Sequence, residues 1–292
     1  MRILVTGADG FVAATLVPLL AASGHQARAA GRALTGEIDG ATDWRALLAG
    51  CEAVVHLANL AHRARDARAI ERANVAGTRR LAEQAAACGL RRLVYLSSVK
   101  ALGEETPDRP FDAASVPAPG SVYGRAKLAA ERALARVAAD TALEVVTLRP
   151  PLVYGANAKA NFRALARAVA RGWPLPLASV RNRRSLVYVG NLADAIVRVL
   201  EAPRAAGRTY LVADGAAVST PELCRALGAA LGRPARLLAF PPRLLDALPP
   251  LRALTRSLEV DDRALRDELG WRPPFSFEEG LRASAQRRRG AA

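Results

Sequence analysis

The sequence predicts an α/β protein, a doubly wound parallel sheet with a smaller lobe towards the C-terminus. Three observations carry that prediction. A β-branched run, Arg2-Ile3-Leu4-Val5-Thr6, passes through a glycine turn into a helical pattern at Leu16, Leu19 and Leu20. Strand-like and helix-like segments then alternate over about 150 residues, as crossover helices joining parallel strands require. Beyond Tyr154-Gly155 the rhythm gives way to loops and a proline-rich helical remainder from Pro221 through Pro249-Pro250 to Leu269-Gly270-Trp271. Residues 1–154 are therefore assigned to the sheet domain, with 185–202 returning to it, and 155–184 and 203–292 to the lobe.

The first strand–turn–helix unit suits a dinucleotide. Gly7 permits the tight turn, Gly10 lets a pyrophosphate approach the backbone, and the small Ala13 lets helix pack on strand. The helix N-terminus offers free N–H groups to phosphate, with Phe11 and Val12 in the same turn. Gln26–Ala30 reads as the second strand. An acidic residue near its end holds the ribose 2′-hydroxyl in proteins that choose NAD; here Gly31 and Arg32 stand instead. With no carboxylate to repel a 2′-phosphate, Arg32 favours NADP, and NAD is the alternative. Glu37-Ile38 falls where an adenine pocket forms. Ala53–Ala58 is the third strand, with Leu57 and Ala58 at its tip. A helix over roughly 71–88 leads to Arg92–Leu96, a fourth strand ending in Ser97-Ser98. Carboxyl tips of parallel strands are where such sheets bind ligands. Glu144–Arg149 is a further strand, followed by Pro150. Later, a helix near 162–171, a strand-like 184–189 and a helix over 191–202 are expected, with Asn191 as an N-cap.

Between the fourth strand and the next lies Ser121-Val122-Tyr123-Gly124-Arg125-Ala126-Lys127. Tyr123 and Lys127, four apart, share one helix face. An ammonium beside a phenol lowers its pKa from about 10, so the pair suits proton transfer at a carbonyl or alcohol. Of 42 basic residues, only Lys100, Lys127 and Lys159 are lysine. A chain that writes its cations as arginine keeps a compact ammonium at this slot.

Composition narrows the classes. At 292 residues, 51% hydrophobic and 24% charged, the chain is an ordinary globular protein. No apolar run reaches the ~18 residues of a membrane span, and Met1-Arg2 runs straight into a strand without a signal-peptide pattern. A cytoplasmic protein is the expectation, with no membrane partner. Cys51, Cys88 and Cys224 are too few and too far apart for a disulfide framework, and His25, His56 and His62 form no metal motif, so no metal is expected. The net charge of +15 comes from scattered arginines, and aromatics are only 5%, which suits an anionic ligand better than nucleic acid.

Together these motifs resemble the extended short-chain dehydrogenase/reductase superfamily, in its nucleotide-sugar epimerase/dehydratase branch. They are Thr6-Gly7-x-x-Gly10-x-x-Ala13, Val55-His56-Leu57-Ala58, Asn74-Val75-x-Gly77-Thr78, Leu96-Ser97-Ser98, Tyr123-x-x-x-Lys127 and Leu148-Arg149-Pro150. Arg184-x-x-Val187-x-Val189 and Leu269-Gly270-Trp271-x-Pro273 extend the likeness over nearly the whole chain. The resemblance implies a Rossmann domain and a homodimer through helices on the sheet's flank. It implies Tyr123 as acid/base, Lys127 tuning it and holding the nicotinamide ribose, and Ser98 facing the substrate oxygen. Ser97, Asn74 and Pro150 would lie along the cofactor. Arg184 would meet the substrate diphosphate and Asn161-Phe162 approach its base or phosphates, with helix capping as the other reading of Asn161.

Departures from the pattern bear on the reaction. Val99 and Lys100 follow Ser98, where 4,6-dehydratases of the branch carry an Asp-Glu pair, so dehydration is not expected. Pro151-Leu152 replaces an asparagine near the substrate phosphates, which leaves the substrate open. The expectation is hydride transfer at C4 of a nucleotide-diphosphate sugar, a UDP sugar first. With Arg32 drawing NADP, a 4-keto reductase of surface-polysaccharide biosynthesis leads. A UDP-hexose 4-epimerase with tightly bound NAD is the alternative, and a non-catalytic cofactor-binding protein a remote one.

Overall fold

The computed structural model describes residues 1–60, 66–158, 160–248 and 251–289; the side chains of 160, 161 and 287–289 lie outside the described set, and with them the assignment of Asn161, as does all of His62. In chain order the sheet domain runs β1 (Arg2–Thr6), α1 (Ala13–Ala22), β2 (Gln26–Ala30), α2 (Arg32–Thr35), α3 (Arg45–Leu48), β3 (Ala53–His56), α4 (Ala67–Glu71), α5 (Gly77–Ala87), β4 (Arg92–Leu96), α6 (Val122–Asp140) and β5 (Glu144–Arg149). Then come β6 (Leu152–Tyr154), α7 (Ala160–Ala170), β7 (Leu186–Tyr188), α8 (Val189–Glu201), β8 (Thr209–Leu211) and α9 (Thr220–Leu231). The chain closes with α10 (Pro242–Asp246), α11 (Arg252–Thr255), α12 (Arg263–Leu269) and α13 (Phe277–Arg289).

Six strands form one parallel sheet in the order β2-β1-β3-β4-β5-β8. Period-two alternation divides their side chains between two buried faces. Ile3, Val5, Val55, Val94 and Val146 pack with α1, α8 and α12 on one face. Leu4, Val54, Leu93, Tyr95 and Val145 pack with α3, α5 and α6 on the other. The edge strand β2 is the one exposed along most of its length. One register row crosses the sheet near its carboxyl end, Thr6 beside His56, His56 beside Tyr95, and Tyr95 beside Thr147. That polar row lies under α5 and α6 and becomes the floor of the site.

The lobe has its own core. Tyr154, Phe162, Leu165, Leu223, Leu227 and Leu281 cluster around the two-stranded parallel β6–β7 ribbon. Two expectations need correction. Residues 203–292 do not all belong to the lobe, because β8 pairs with β5 and completes the main sheet. Leu265, Leu269 and Trp271 likewise fill the core under α8. The sequence hid this, since β8 is a three-residue strand without alternation to read. Asn191 is not a cap either. It is fully buried in the first turn of α8, where its amide nitrogen donates to Asp214 (2.7 Å) and to the Phe275 carbonyl (2.8 Å), and its oxygen accepts from Phe275 N (2.9 Å). Asp214 meets the helix start instead, accepting from Tyr188 N at 2.9 and 3.0 Å. An amide ties three segments here because a buried polar side chain must satisfy both its donor and its acceptor.

Candidate active site

The nucleotide end of the site is made of backbone. The tips of β1, β2 and β3 enclose a cleft of about 700 Å³ lined by Gly7, Gly10, Phe11, Val12, Arg32, Glu37, Ile38, Leu57 and Ala58. All nine, assigned from sequence, therefore meet in one place. Gly7 adopts φ +68°, and a Cβ there would lie 2.7 Å from Ala58 N, so the turn passes against the third strand as only glycine can. No side chain caps α1. Among the described residues the N–H groups of Phe11 and Val12 have no backbone or side-chain acceptor, which leaves them for an anion. The Phe11 ring turns outward to join the lobe's core. The cleft's size, its close glycine cradle and its open amides fit a dinucleotide phosphate.

Two residues at this end depart from expectation. Asn74 does not line the cleft. It sits in a wide π-helical turn, Arg72–Ala76, buried to 1% exposure, and its amide holds Leu60 by both N (2.7 Å) and O (2.9 Å). It therefore fixes the loop after β3 whose residues line the cleft. The tip of β2 is not free of carboxylate. Asp9, from the glycine turn, lines the same cleft and accepts from Arg32 N at 2.7 Å. Sequence reasoning looked for an acid on β2 itself and missed one arriving from β1.

The catalytic end is made of side chains. Ser121 caps α6 by accepting from Gly124 N (3.0 Å), which starts the helix so that Tyr123 stands in its first turn. A Cβ on Gly124 would fall 2.3 Å from the Lys100 carbonyl, so its absence lets α6 close onto the turn that carries Ser98. Ser98 opens that turn, its hydroxyl oxygen accepting from Lys100 N at 3.2 Å and keeping its own proton to donate. Lys100 itself pairs with Glu104 at 2.9 Å. The Pro150 carbonyl braces the turn by accepting from Val99 N (3.0 Å), so Pro150 positions Ser98 through its backbone.

Lys127 is buried, 1% exposed. Its Nζ donates to the Leu96 carbonyl (2.8 Å), lies 4.7 Å from the Tyr95 ring centroid and 5.8 Å from that of Tyr123. Desolvation brings its pKa down to about 7, against an opposing pull from Glu131. Desolvation also pushes Tyr123 up to about 12. The expectation that Lys127 lowers Tyr123 is thus reversed in this state, because burial outweighs a neighbour that is itself poorly charged. The pair is instead poised together. A tyrosinate forming at Tyr123 would favour the ammonium on Lys127, and the ammonium would favour the tyrosinate.

Beneath them runs a satisfied polar network. Arg149 donates to Glu131 through Nε (3.0 Å) and Nη2 (2.6 Å), both side chains 9% exposed, and the Ser97 hydroxyl donates to the same carboxylate. Ser97 therefore faces Glu131 rather than the cleft. Its signal in sequence was present but unread, since Glu131 stands one turn beyond Lys127 and Arg149 directly before Pro150. In the floor, Ala58 N donates to Thr6 Oγ1 (3.3 Å), Thr6 Oγ1 lies 2.7 Å from His56 Nδ1, and His56 Nε2 lies 3.0 Å from Thr78 Oγ1. Two hydroxyls suit a neutral imidazole, and burial lowers His56 to about 3.

At the lobe end, Arg184 is part-buried and donates to the Arg256 carbonyl (2.9 Å). Among the described residues it makes no ion pair, and desolvation lowers its pKa, the condition of a cation that gains from an anionic ligand. Phe162 is 2% exposed and packs its ring against Tyr154 in the lobe's core, so any ligand contact from it is through backbone.

Residues 3–213 match the model of the NAD dependent epimerase/dehydratase family. The chain is 38% identical to a UDP-glucose 4-epimerase of Vibrio cholerae, covering 97% of this chain and 94% of that one. It is 32% identical to a 2-alkyl-3-oxoalkanoate reductase of Stenotrophomonas maltophilia, covering 97% and 98%. The crystal structure of a Thermus thermophilus UDP-glucose 4-epimerase in complex with NAD superposes with a TM-score of 0.81 at 26% identity, covering all of both chains.

Proposed function

This chain belongs to the NAD dependent epimerase/dehydratase family, and on that premise we propose that it interconverts the C4 epimers of a UDP-linked hexose. The observation that carries the reading is the Tyr123–Lys127 pair, whose lysine donates to the carbonyl of Leu96, a residue that lines the cleft, and which sets a neutral phenol beside a lysine at the threshold of charging. A nicotinamide dinucleotide bound in that cleft would supply the reversible hydride acceptor. The reacting base is the tyrosinate, formed as the Tyr123 phenol passes its proton to Lys127; it takes the proton of the C4 hydroxyl as C4 is oxidised and returns it to the same oxygen afterwards. Lys127 carries the compensating positive charge, steadied by Glu131 four residues on. Ser98 donates to the C4 oxygen when it becomes a carbonyl. Arg184 would offer its guanidinium to the substrate diphosphate, and Gly7, Gly10 and the open amides of the turn would hold the cofactor's phosphates.

The Vibrio cholerae relative supports epimerisation over the net reduction that Arg32 suggests. Dehydration finds no support: Val99 is buried and Lys100 is tied to Glu104, so neither position after Ser98 supplies an acid/base pair. Net reduction of a keto substrate, drawing on NADPH, is a second reading because of the Stenotrophomonas relative. One assay separates them. Purified enzyme is mixed with UDP-glucose or UDP-N-acetylglucosamine and followed by proton NMR without added dinucleotide. Interconversion to the galacto epimer is expected. No interconversion there, with stoichiometric NADPH consumption in a parallel reaction given NADPH and a keto substrate, would sink the epimerase reading.

A further inference from the structure

The carboxylate at the tip of β2 has a definite construction. Asp9 Oδ2 accepts from Arg32 N at 2.7 Å, which fixes the side chain across the turn between β2 and α2. A Cβ on Gly31 would lie 2.3 Å from Asp9 Oδ1, so glycine at 31 is what makes room for this carboxylate. Among the described residues Oδ1 has no donor, and Asp9 enters no ion pair with Arg32 or any other cation. Asp9, Arg32, Glu37 and Ile38 line the same cleft. The Arg32 side chain is exposed and, among the described residues, in no ion pair, so ordering it on a ligand costs side-chain entropy, whereas Asp9 is already placed.

We propose that Asp9, reaching over from β1, does for this chain what an acid on β2 does in other dinucleotide-binding sheets: it accepts from the adenosine ribose, turns away a 2′-phosphate and so selects NAD over NADP. The proposal rests on the reading that the cleft holds a nicotinamide dinucleotide. It reverses the preference that Arg32 suggested from sequence. An anionic oxygen fixed at the tip of β2, where sheets of this kind hold the adenosine ribose, would repel a phosphate dianion by an amount that exposure and salt moderate, giving selection of at least about tenfold.

The test is a competition on the enzyme as purified. It is equilibrated with equimolar NAD and NADP and desalted, and the dinucleotides released by acid are separated and counted. Wild type is expected to hold NAD over NADP by about tenfold or more. In Asp9→Asn the amide oxygen still caps Arg32 N while the charge is gone, and the ratio should fall to near unity or invert in favour of NADP. Gly31→Ala, which keeps the charge but displaces it, should erode the ratio in the same direction. Thermal shifts with each dinucleotide should follow the same order, and far-UV circular dichroism should show all three proteins folded. A wild type that holds NADP as well as NAD, or an Asp9→Asn ratio like wild type's, overturns the role of Asp9 and leaves the dinucleotide reading standing. If neither dinucleotide is retained nor shifts the melting temperature, the dinucleotide reading itself falls.

Discussion

The two parts of the candidate site are built on opposite principles. The nucleotide end is backbone held by one short stretch of sequence, with Gly7 at φ +68° and open amides before α1. The catalytic end gathers side chains from three elements, Ser98 after β4, Tyr123 and Lys127 on α6, and Arg149 on β5, around buried charge. Backbone amides do not titrate and do not depend on neighbours for their state. Side chains in a buried cluster do both. The first end should therefore respond to shape and the second to charge.

The largest effect expected is on chemistry alone. Tyr123→Phe removes the proton donor and should lower epimerisation by about 10²–10⁴-fold, measured by NMR, with dinucleotide retention unchanged. Coupled loss of retention would mean that the two ends are not separable. Glu131→Gln is next. It strips the anion from a pair in which both side chains are 9% exposed and leaves the Arg149 charge buried, at about 3–5 kcal/mol in urea denaturation. It also removes the group that raises Lys127 against desolvation, so activity at pH 7 should fall further than stability explains.

The floor of the site gives a pH signature. His56 is lowered from 6.5 to about 3, so between those values the unfolded chain binds the proton and the folded one does not. Stability from this group is present above pH 6.5 and is lost as pH falls towards 3, by up to ~1.4 kcal/mol per pH unit. His56→Gln should flatten that part of the profile relative to wild type; identical slopes would show that the imidazole is not buried neutral. Lys127 acts in the same sense in a higher window, between about 7 and 10.5, and His56→Gln should leave that window untouched.

At the nucleotide end, Gly7→Ala should cost about 1–2 kcal/mol for its left-handed φ, plus the displacement of Ala58 from a Cβ 2.7 Å away. Its mark should be weaker dinucleotide retention with an unshifted pH–rate profile. The smallest effect belongs to neither end. Arg256 pairs with Glu105 and Asp246 at 2.6 and 3.0 Å, but its side chain is 39% exposed, so Arg256→Ala should leave the urea midpoint close to that of wild type, with any small shift muted by high salt.

What was legible from sequence was local. Strand, glycine turn and helix are neighbours in the chain, and a 3.6-residue period alone places Tyr123 above Lys127. These determine the fold class, the cleft's lining from Gly7 to Ala58, and the placing of Tyr123 and Lys127 on one helix face. What only the tertiary structure decided concerns partners far apart in sequence and the depth at which they lie. Asp9 reaches Arg32 across 23 residues, Asn191 reaches Phe275 across 84, and β8 finds β5 with no pattern of its own. The charge states of Tyr123 and Lys127 belong to the same class. Spacing brings a phenol and an ammonium together, but desolvation sets which of them is charged, and burial is a property of the whole fold.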